Sequence, residues 1–299
     1  MKRYLSFNDY FKNKFGKKVI KLSLDMGSTC PNRDGTLSNL GCIFCSEKGS
    51  GDFAASRLLS IDNQIQSQKE FLSHKWNDGL YIAYFQNFTN TYGDIDKLEK
   101  IFNHVISRDD IVGLSIATRA DCLNDDVLKM LDELNKKTFL WLEIGMQTIH
   151  DSSLNLINRG YDHDTFDKNI KKLKKLNIKF LTHIIFGLPF ETKEMMLKTI
   201  GYVKEIHPFG IKFHCLYLEN DSRIYKYYKE NPFEILSLED YVELVTESIK
   251  KLPKDIVIHR LTGDANREKL IAPLWAKDKL KVIGTIEKEL KIKSLPLLK

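Results

Sequence analysis

The amino-acid sequence predicts an α/β fold, a partial (β/α)6 TIM-like barrel with a C-terminal α/β extension. Six short apolar, β-branched runs are typical of strands buried in a parallel sheet. Capped segments with helical periodicity separate these runs, as parallel strands require, because a tight turn cannot join them. Six units are two fewer than a closed eight-stranded barrel contains, so the barrel should be open on one side.

Each predicted strand is a short apolar run. In chain order the strands are VIKLSL (19–24), LYIAYF (80–85), IVGLSIA (111–117), FLWLEIGM (139–146), KFLTHIIFG (179–187) and IKFHCLYL (211–218). The predicted helices between them cover 60–76, 94–106, 124–137, 162–176 and 191–206. Ser60, Asp94 and Asn124 are expected to cap the first three helices, because their side chains can accept hydrogen bonds from free backbone amides.

The pattern changes after residue 220. Residues 237–252 are predicted to form a capped helix, 255–263 a strand and 276–291 a final helix. No Gly/Ser-rich linker precedes them. We therefore expect a barrel at 1–220 and an extension at 221–299 that packs on the open side or the bottom of the barrel.

The composition is that of a soluble globular protein. Hydrophobic residues make up 42% and charged residues 29% of the 299, which disfavours a disordered or fibrous chain. No run approaches the roughly 18 apolar residues of a membrane helix, and the N-terminal segment lacks the apolar core of a signal peptide. We expect a cytoplasmic protein without membrane association.

The charge pattern permits a nucleic-acid partner without requiring one. The net charge is +6, and lysines concentrate at 171–179 and 276–293. At helical spacing, such runs favour the solvated faces of amphipathic helices over a surface that binds phosphates.

Three of the five cysteines lie in the segment CPNRDGTLSNLGCIFC, as Cys30, Cys42 and Cys45. The segment follows the first strand, and loops at the carboxyl ends of strands carry functional residues in this architecture. Three thiolates would leave one position of a cubane iron–sulfur cluster open to a ligand. The alternative is a zinc site completed by His214 or Cys215.

The remaining cysteines, Cys122 and Cys215, are isolated in the sequence. An odd number of cysteines fits a reducing compartment better than a disulfide framework. The sequence assigns neither of the two a function.

Several motifs resemble those of radical S-adenosylmethionine (SAM) enzymes of the YhcC/YtqA group, whose core is similar to the Elongator-type catalytic subunit. They are CPNRDG…GCIFC, YFQNFTNTY, ATRADCL, EIGMQT, NRGYDHDTF, IIFGLP, HRLTGD and IAPLW. The resemblance covers nearly the whole chain. The usual family spacing is C-x3-C-x2-C, whereas this sequence has C-x11-C-x2-C, as in that group.

The resemblance implies a barrel of the radical SAM type and two cofactors, a [4Fe-4S] cluster and SAM. Cys30, Cys42 and Cys45 would hold the cluster, and SAM would bind its fourth iron and be cleaved to a 5′-deoxyadenosyl radical. An electron donor such as flavodoxin or ferredoxin would be needed. The implied substrate is tRNA, at a wobble-uridine side chain changed from the carboxymethylaminomethyl to the aminomethyl type.

Two alternatives remain at the level of sequence. One is a radical SAM enzyme that acts on a protein or a small metabolite. The other is a zinc-stabilised RNA-binding module without catalysis, although such a module would not need six β/α units.

The resemblance and the strand pattern also predict which residues contact SAM. Glu143 and Gln147 share a strand face with Gly145, and buried polar groups on that face need partners. The other expected contacts follow from motif positions. The full predicted set is Phe44, Gln86, Glu143, Gln147, Arg159, Gly187 and Pro189.

The predicted substrate residues are polar side chains at strand ends or in the C-terminal segment. They are Tyr84, Asn90, Arg119, His214, His259 and Arg260.

Overall fold

The computed structural model describes residues 2–46, 49, 54–73 and 79–293. Its main feature is a sheet of seven parallel strands, in the order β1-β2-β3-β4-β5-β6-β8. The strands are β1 (Val19–Leu24), β2 (Leu80–Phe85), β3 (Ile111–Thr118), β4 (Phe139–Gln147), β5 (Lys179–Phe186), β6 (Gly210–Cys215) and β8 (Val257–Arg260). Two short strands, β7 (Leu218–Glu219) and β9 (Leu270–Ala272), form a separate antiparallel pair.

Ten α-helices connect or flank these strands in the described part of the chain. They are α1 (Phe7–Phe15), α2 (Ile61–Ser73), α3 (Ile95–Ile106), α4 (Asp125–Lys137), α5 (Asp151–Leu156), α6 (His163–Lys175), α7 (Lys193–Ile206), α8 (Arg223–Glu230), α9 (Leu238–Lys251) and α10 (Lys279–Ile292). The last residues of the predicted helix 60–76, 74–76, lie outside the described residues.

The predicted caps are confirmed. The side chains of Asp94 and Asn124 accept hydrogen bonds from backbone amides in the first turns of α3 and α4. Ser60 accepts one from the amide of Asn63 at 3.2 Å. These bonds satisfy amides that have no partner within the helix, which is why the three helices begin where the sequence predicts.

The sheet has one more strand than the six predicted before residue 220. The strand expected within the extension is β8, which pairs in parallel with β6 and becomes the seventh strand. The predicted boundary at residue 220 falls between β7 and α8. The division into barrel and extension stays a prediction, and the structure shows that both segments contribute to one sheet.

The sheet curls until its first and last strands approach each other. Lys21 on β1 and His259 on β8 are sequence-distant and lie on opposite edges of the sheet, yet their side-chain nitrogens are 3.5 Å apart. Ser6 forms a parallel bridge with Ile258, so the N-terminal segment adds to the β8 edge. The result is the partial barrel that the sequence predicts, with seven strands.

An aromatic plug lies at the amino ends of the strands. It consists of Phe11 of α1 with Phe139, Trp141 and Phe209. The ring centroid of Phe11 lies 5.5–6.5 Å from the ring centroids of the other three. Phe139 opens β4 and Phe209 immediately precedes β6, so these rings mark the bottom of the barrel. Buried aromatic pairs of this kind stabilise the fold beyond their buried area.

Strand residues alternate between two environments, as the period of a β-strand requires. Leu140, Leu142 and Ile144 of β4 face the main hydrophobic core beneath the helices. Trp141 and Glu143, between them, face the inside of the barrel with the plug and Lys21. No helix of the described residues is long and apolar enough to cross a membrane.

Candidate active site

The three clustered cysteines lie on the loop that follows β1, which we call the cysteine loop (residues 25–46). Asp25 fixes its start. The carboxylate of Asp25 accepts hydrogen bonds from Asn87 at 2.7 Å and Arg57 at 3.2 Å, and its backbone pairs with the Gln64 amide of α2. These contacts hold the loop at the carboxyl edge of the sheet.

The second half of the loop is a tight turn that carries Cys42 and Cys45. The amide of Cys45 donates to the carbonyl of Cys42 at 3.2 Å. Asn32 donates to the sulfur of Cys42 at 3.5 Å and to the carbonyl of Asn158 at 2.6 Å. Asn158 in turn donates to the carbonyl of Gly41 at 2.7 Å, so the turn is clamped against the segment after α5.

Two arginines and a tyrosine lie beside this turn. The guanidinium groups of Arg119 and Arg159 lie 5.0 and 3.9 Å from the ring centroid of Tyr161, at cation–π distance. Arg119 is also paired with Asp121 at 2.7 Å. Arg159 donates to the carbonyl of Met146 at 2.8 Å, but its Nη2 is buried without a partner among the described residues.

The donor set of the cysteine loop is three cysteine thiols, the ligand type that iron–sulfur clusters take in proteins. A hydrogen bond with the Cys45 thiol and burial raise the pKa of Cys42 well above its ordinary value. Within the described ranges, no three His, Cys, Asp or Glu side chains converge as a preformed metal site, and this holds for the three loop cysteines as well as for a zinc set. Of the two residues named for the zinc alternative, His214 stacks on His183, and the Cys215 thiol donates to the carbonyl of Leu216 at 3.5 Å.

A second group of polar side chains fills the inside of the barrel, which we call the barrel chamber. Its centre is Glu143 of β4, whose side chain is fully buried. One oxygen accepts hydrogen bonds from Lys21 at 2.7 Å and Ser115 at 2.9 Å. The other accepts from His183 at 3.0 Å and from Lys212. Four strands thus converge on a single carboxylate.

Burial and charge together set the protonation of these groups. Burial alone would raise the pKa of Glu143, but Lys21, Lys212 and His183 hold it well below its ordinary value. Burial lowers the pKa of Lys212 to about 7, against the opposing pull of Glu143. Burial and the neighbouring Lys212 lower the pKa of His183 to about 4. Glu143 is therefore ionised and His183 neutral at pH 7, and Lys212 loses its proton far more readily than an exposed lysine does.

Four of the six predicted substrate residues lie in or at this chamber. Lys212 lies 3.4 Å from the hydroxyl of Tyr84, and the ring of His214 stacks on that of His183 at 5.2 Å. His259 contacts Lys21, as described above. The positive charge of Arg260 contributes to lowering the pKa of Lys212, and Arg260 pairs with Asp264 at 3.5 Å.

The other two predicted substrate residues lie elsewhere. Asn90 donates to the carbonyls of Phe85, Asn87 and Ala117 at 3.0–3.1 Å, so it fixes the turn after β2. Arg119 lies beside the cysteine loop. Their expected contact with substrate stays a prediction.

Three of the seven predicted SAM contacts lie at the Cys42–Cys45 turn or in the barrel chamber. Phe44 lies in the Cys42–Cys45 turn against the apolar cluster that includes Leu188, and Arg159 lies beside the same turn. Glu143 belongs to the barrel chamber, where both of its oxygens accept hydrogen bonds from the protein. That Glu143 contacts SAM stays a prediction.

The other four positions lie at the carboxyl ends of strands or just after them. Gln86 follows β2, and its backbone N–H donates to the carbonyl of Leu24 at 3.2 Å. Gln147 has φ +61° and its side chain folds over Gly145, where a Cβ would clash with it. Gly187 has φ +81° and begins the turn that buries Pro189, which explains why glycine stands there. Their contacts with SAM also stay predictions.

Sequence reasoning missed Lys21, His183 and Lys212. A usable signal was present, because each lysine interrupts an apolar strand at a position that faces the barrel. A charged residue at such a position needs a buried partner of opposite charge. Glu143 is the only acidic residue in the six predicted strands before residue 220.

Comparison with known proteins defines the class. Residues 35–203 match the Radical SAM superfamily, and residues 208–292 match the Radical_SAM C-terminal domain. The chain belongs to the radical SAM superfamily. It is a radical SAM enzyme, and the cofactors of that family are a [4Fe-4S] cluster and SAM.

Individual relatives narrow the class to the YhcC/YtqA group. The chain is 45% identical over 289 residues to the uncharacterized protein YtqA of Bacillus subtilis (strain 168), covering 97% of this chain and 90% of the relative. It is 35% identical over 274 residues to protein YhcC of Escherichia coli (strain K12), covering 91% and 87%.

Two more distant similarities involve archaeal proteins. Methanocaldococcus infernus Elp3, solved with an N-terminal deletion, has the same fold, with a TM-score of 0.71 at 16% identity over 93% of this chain and 64% of that one. A tRNA uridine(34) acetyltransferase of the same organism is 27% identical over 157 residues, which is 51% of this chain and 29% of the relative.

Proposed function

We propose that this enzyme modifies the side chain of a wobble uridine in tRNA, converting a carboxymethylaminomethyl group to an aminomethyl group. The observation that carries the proposal is the barrel chamber, where Lys21, Lys212 and Arg260 surround the single carboxylate of Glu143. Such a chamber suits a substrate group that bears its own carboxylate. The relative named as a tRNA uridine(34) acetyltransferase supports uridine 34 of tRNA as the position.

The cysteine loop supplies the cofactor site in this proposal. Cys30, Cys42 and Cys45 would hold the cluster, and Asn32 would orient Cys42 through its amide. The cluster and SAM together would supply a radical that removes a hydrogen atom from the carbon between the amine and the carboxylate. Loss of one more electron, back to the oxidised cluster, would leave an imine on the substrate. Water would then break the carbon–nitrogen bond and release the aminomethyl uridine and a two-carbon aldehyde acid. Arg159 is suited to the SAM carboxylate, because its Nη2 is buried without a protein partner among the described residues and would gain a charge-assisted bond.

The barrel itself would exclude water from the reacting group. The aromatic plug closes the amino end, so a substrate group enters from the carboxyl edge, where the cysteine loop lies. A uridine in an anticodon loop is already unpaired and costs little to extrude into such a site. Lys212 and Arg260 would then orient the carboxylate of its side chain.

The test is a comparison of tRNA nucleosides from cells with and without the gene. We expect aminomethyl-type uridines to disappear from the deletion strain and carboxymethylaminomethyl uridine to accumulate. A plasmid copy should reverse both changes, and a Cys42→Ala copy should not. Identical wobble-uridine profiles in the two strains would exclude this substrate and favour a protein or small metabolite instead.

The proposal also requires a source of electrons. We propose flavodoxin or ferredoxin as the donor and the cytoplasm as the location, since both carriers deliver single electrons at low potential there. Purified flavodoxin with its reductase should replace dithionite in supporting 5′-deoxyadenosine formation. A donor that supports no turnover in this assay would be excluded.

A further inference from the structure

The barrel chamber holds more positive than negative charge. Lys21 and Lys212 share one partner, Glu143, which can neutralise only one of them. Arg260 has its own partner in Asp264 at 3.5 Å. When both lysines are protonated, one positive charge is therefore uncompensated in a largely desolvated space, which is costly unless an anion enters.

The chamber is buried but still reachable. The side chain of Lys212 is 7% exposed, whereas those of Lys21 and His183 are 18% and 23% exposed. The Nε2 atoms of His214 and His259 are buried and have no hydrogen-bond partner in the described part of the chain. Unpaired buried nitrogens beside an uncompensated ammonium group indicate a place that a polar ligand completes.

We propose that the barrel chamber is a carboxylate-binding site in which Lys212 is the principal cation. The inference rests on the proposed function, since it assigns the chamber to the carboxylate of the carboxymethylaminomethyl group. An N–H···O bond between an ammonium group and a carboxylate in such surroundings contributes far more than one in water. Glu143 keeps the chamber selective, because it orients both lysines.

Proton uptake follows from the surroundings of Lys212. Burial, together with Lys21 and Arg260, lowers its pKa to about 7, although Glu143 opposes this. A bound carboxylate adds a second negative charge and raises the pKa again. Near neutral pH, binding of a carboxylate would therefore be accompanied by proton uptake at Lys212.

The charged and titratable groups that share the chamber with Lys212 come from six strands. They are Lys21 of β1, Tyr84 of β2, Glu143 of β4, His183 of β5, His214 of β6 itself, and His259 and Arg260 of β8. Burial lowers the pKa of His183, His214 and His259, so these three rings are neutral near pH 7 and do not compete for the proton.

The first experiment measures binding to the holoenzyme by calorimetry at pH 7. The probes are two anticodon stem-loop RNAs that differ only at uridine 34, one with the carboxymethylaminomethyl group and one with its methyl ester. A charged hydrogen bond of the usual strength predicts that the carboxylate RNA binds about 10- to 100-fold more tightly. Titrations in phosphate and in Tris, which differ in ionisation enthalpy, should show proton uptake for the carboxylate RNA alone.

Substitutions separate this role from a structural one. Lys212→Met should abolish both the discrimination and the proton uptake. Lys212→Arg should keep the discrimination but lose the uptake, because arginine is always protonated. Lys172→Met, at an exposed position on α6, should change neither. Circular dichroism and iron content confirm that each variant is folded and loaded.

A second arm keeps the inference separate from the proposed function. N-methylglycine has a carboxylate and its amide is uncharged, so this pair of small molecules repeats the comparison between the two RNAs without any RNA. The cellular tRNA profile could be independent of the gene while N-methylglycine still binds with proton uptake that Lys212→Met removes. That result would support the chamber as a carboxylate site and exclude the proposed tRNA substrate. Equal affinity for the carboxylate and its uncharged analogue in both arms, or uptake that persists in Lys212→Met, would overturn the inference.

Discussion

Replacing Lys212 by methionine should change how the stability of the protein depends on pH. In the folded protein, burial lowers the pKa of Lys212 to about 7, whereas a lysine in the unfolded chain has a pKa of about 10.4. Between these values the unfolded state binds more protons than the folded state, so the free energy of unfolding rises with pH. The unfavourable contribution of Lys212 is fully present below pH 7 and disappears as the pH approaches 10.

The two pKa values set the size of the effect. Integrated from pH 7 to pH 9, they give a rise of about 2 kcal/mol in the wild-type free energy of unfolding that Lys212→Met lacks. Titrating groups that do not contact Lys212 are the same in both proteins and cancel in the difference. Lys21 and His183 share Glu143 with Lys212, so the difference also contains their coupling to it. Because the side chain of Lys212 is only 7% exposed, salt should screen this term only weakly.

The assay is anaerobic urea unfolding at pH 7, 8 and 9, followed by tryptophan fluorescence, to which the buried Trp141 contributes. The same substitution at the solvent-exposed Lys172 controls for the general effect of removing one lysine. The reasoning would be refuted if the difference in the free energy of unfolding between wild type and Lys212→Met were the same at all three pH values. That result would mean that Lys212 keeps its proton throughout.

Three further predictions concern other parts of the molecule. Cys42→Ala should lose the brown colour and most of the roughly four irons expected for a cubane cluster, measured by iron analysis of anaerobic protein; retained iron would contradict the assignment. Phe11→Ala should lower the free energy of unfolding by about 3–5 kcal/mol, since Phe11 is fully buried in the aromatic plug. Gly160→Ala should destabilise the cysteine loop, because φ is +86° and a Cβ would lie 3.1 Å from Asn32; slower 5′-deoxyadenosine formation at unchanged circular dichroism is expected.

The sequence predicts the strands well because their residues are buried on both faces of the sheet. VIKLSL and LYIAYF form β1 and β2 with the predicted bounds. The helix α1 was missed, although Ser6 caps it and Phe7, Phe11 and Phe15 share one face. Its role as a plug depends on where the strands of the barrel place their own aromatic residues, and no local pattern carries that information.

The candidate site was predictable only in part. The cysteines were found because their spacing is local, and Glu143 because it is an acidic residue in an apolar strand. Its partners Lys21 and Lys212 are far from it in the sequence, and β4 is not adjacent to β1 or β6 in the sheet. They meet only because the sheet curls, which is a property of the whole barrel and of no single segment.

The same curl decides where an RNA could approach. The lysines of segment 171–179 lie on the last turns of α6 and at the first residue of β5, beside the end of the barrel that the aromatic plug closes. Lys171 and Lys172 are paired there with Asp167 and Asp125, as expected of a solvated helix face. The cysteine loop lies at the opposite end. An RNA that delivers a base to the chamber must therefore bind around the carboxyl edge, so Lys172→Glu should leave tRNA affinity in a filter-binding assay within about twofold of wild type. A large loss of affinity would mean that the RNA wraps around the side of the barrel to its closed end.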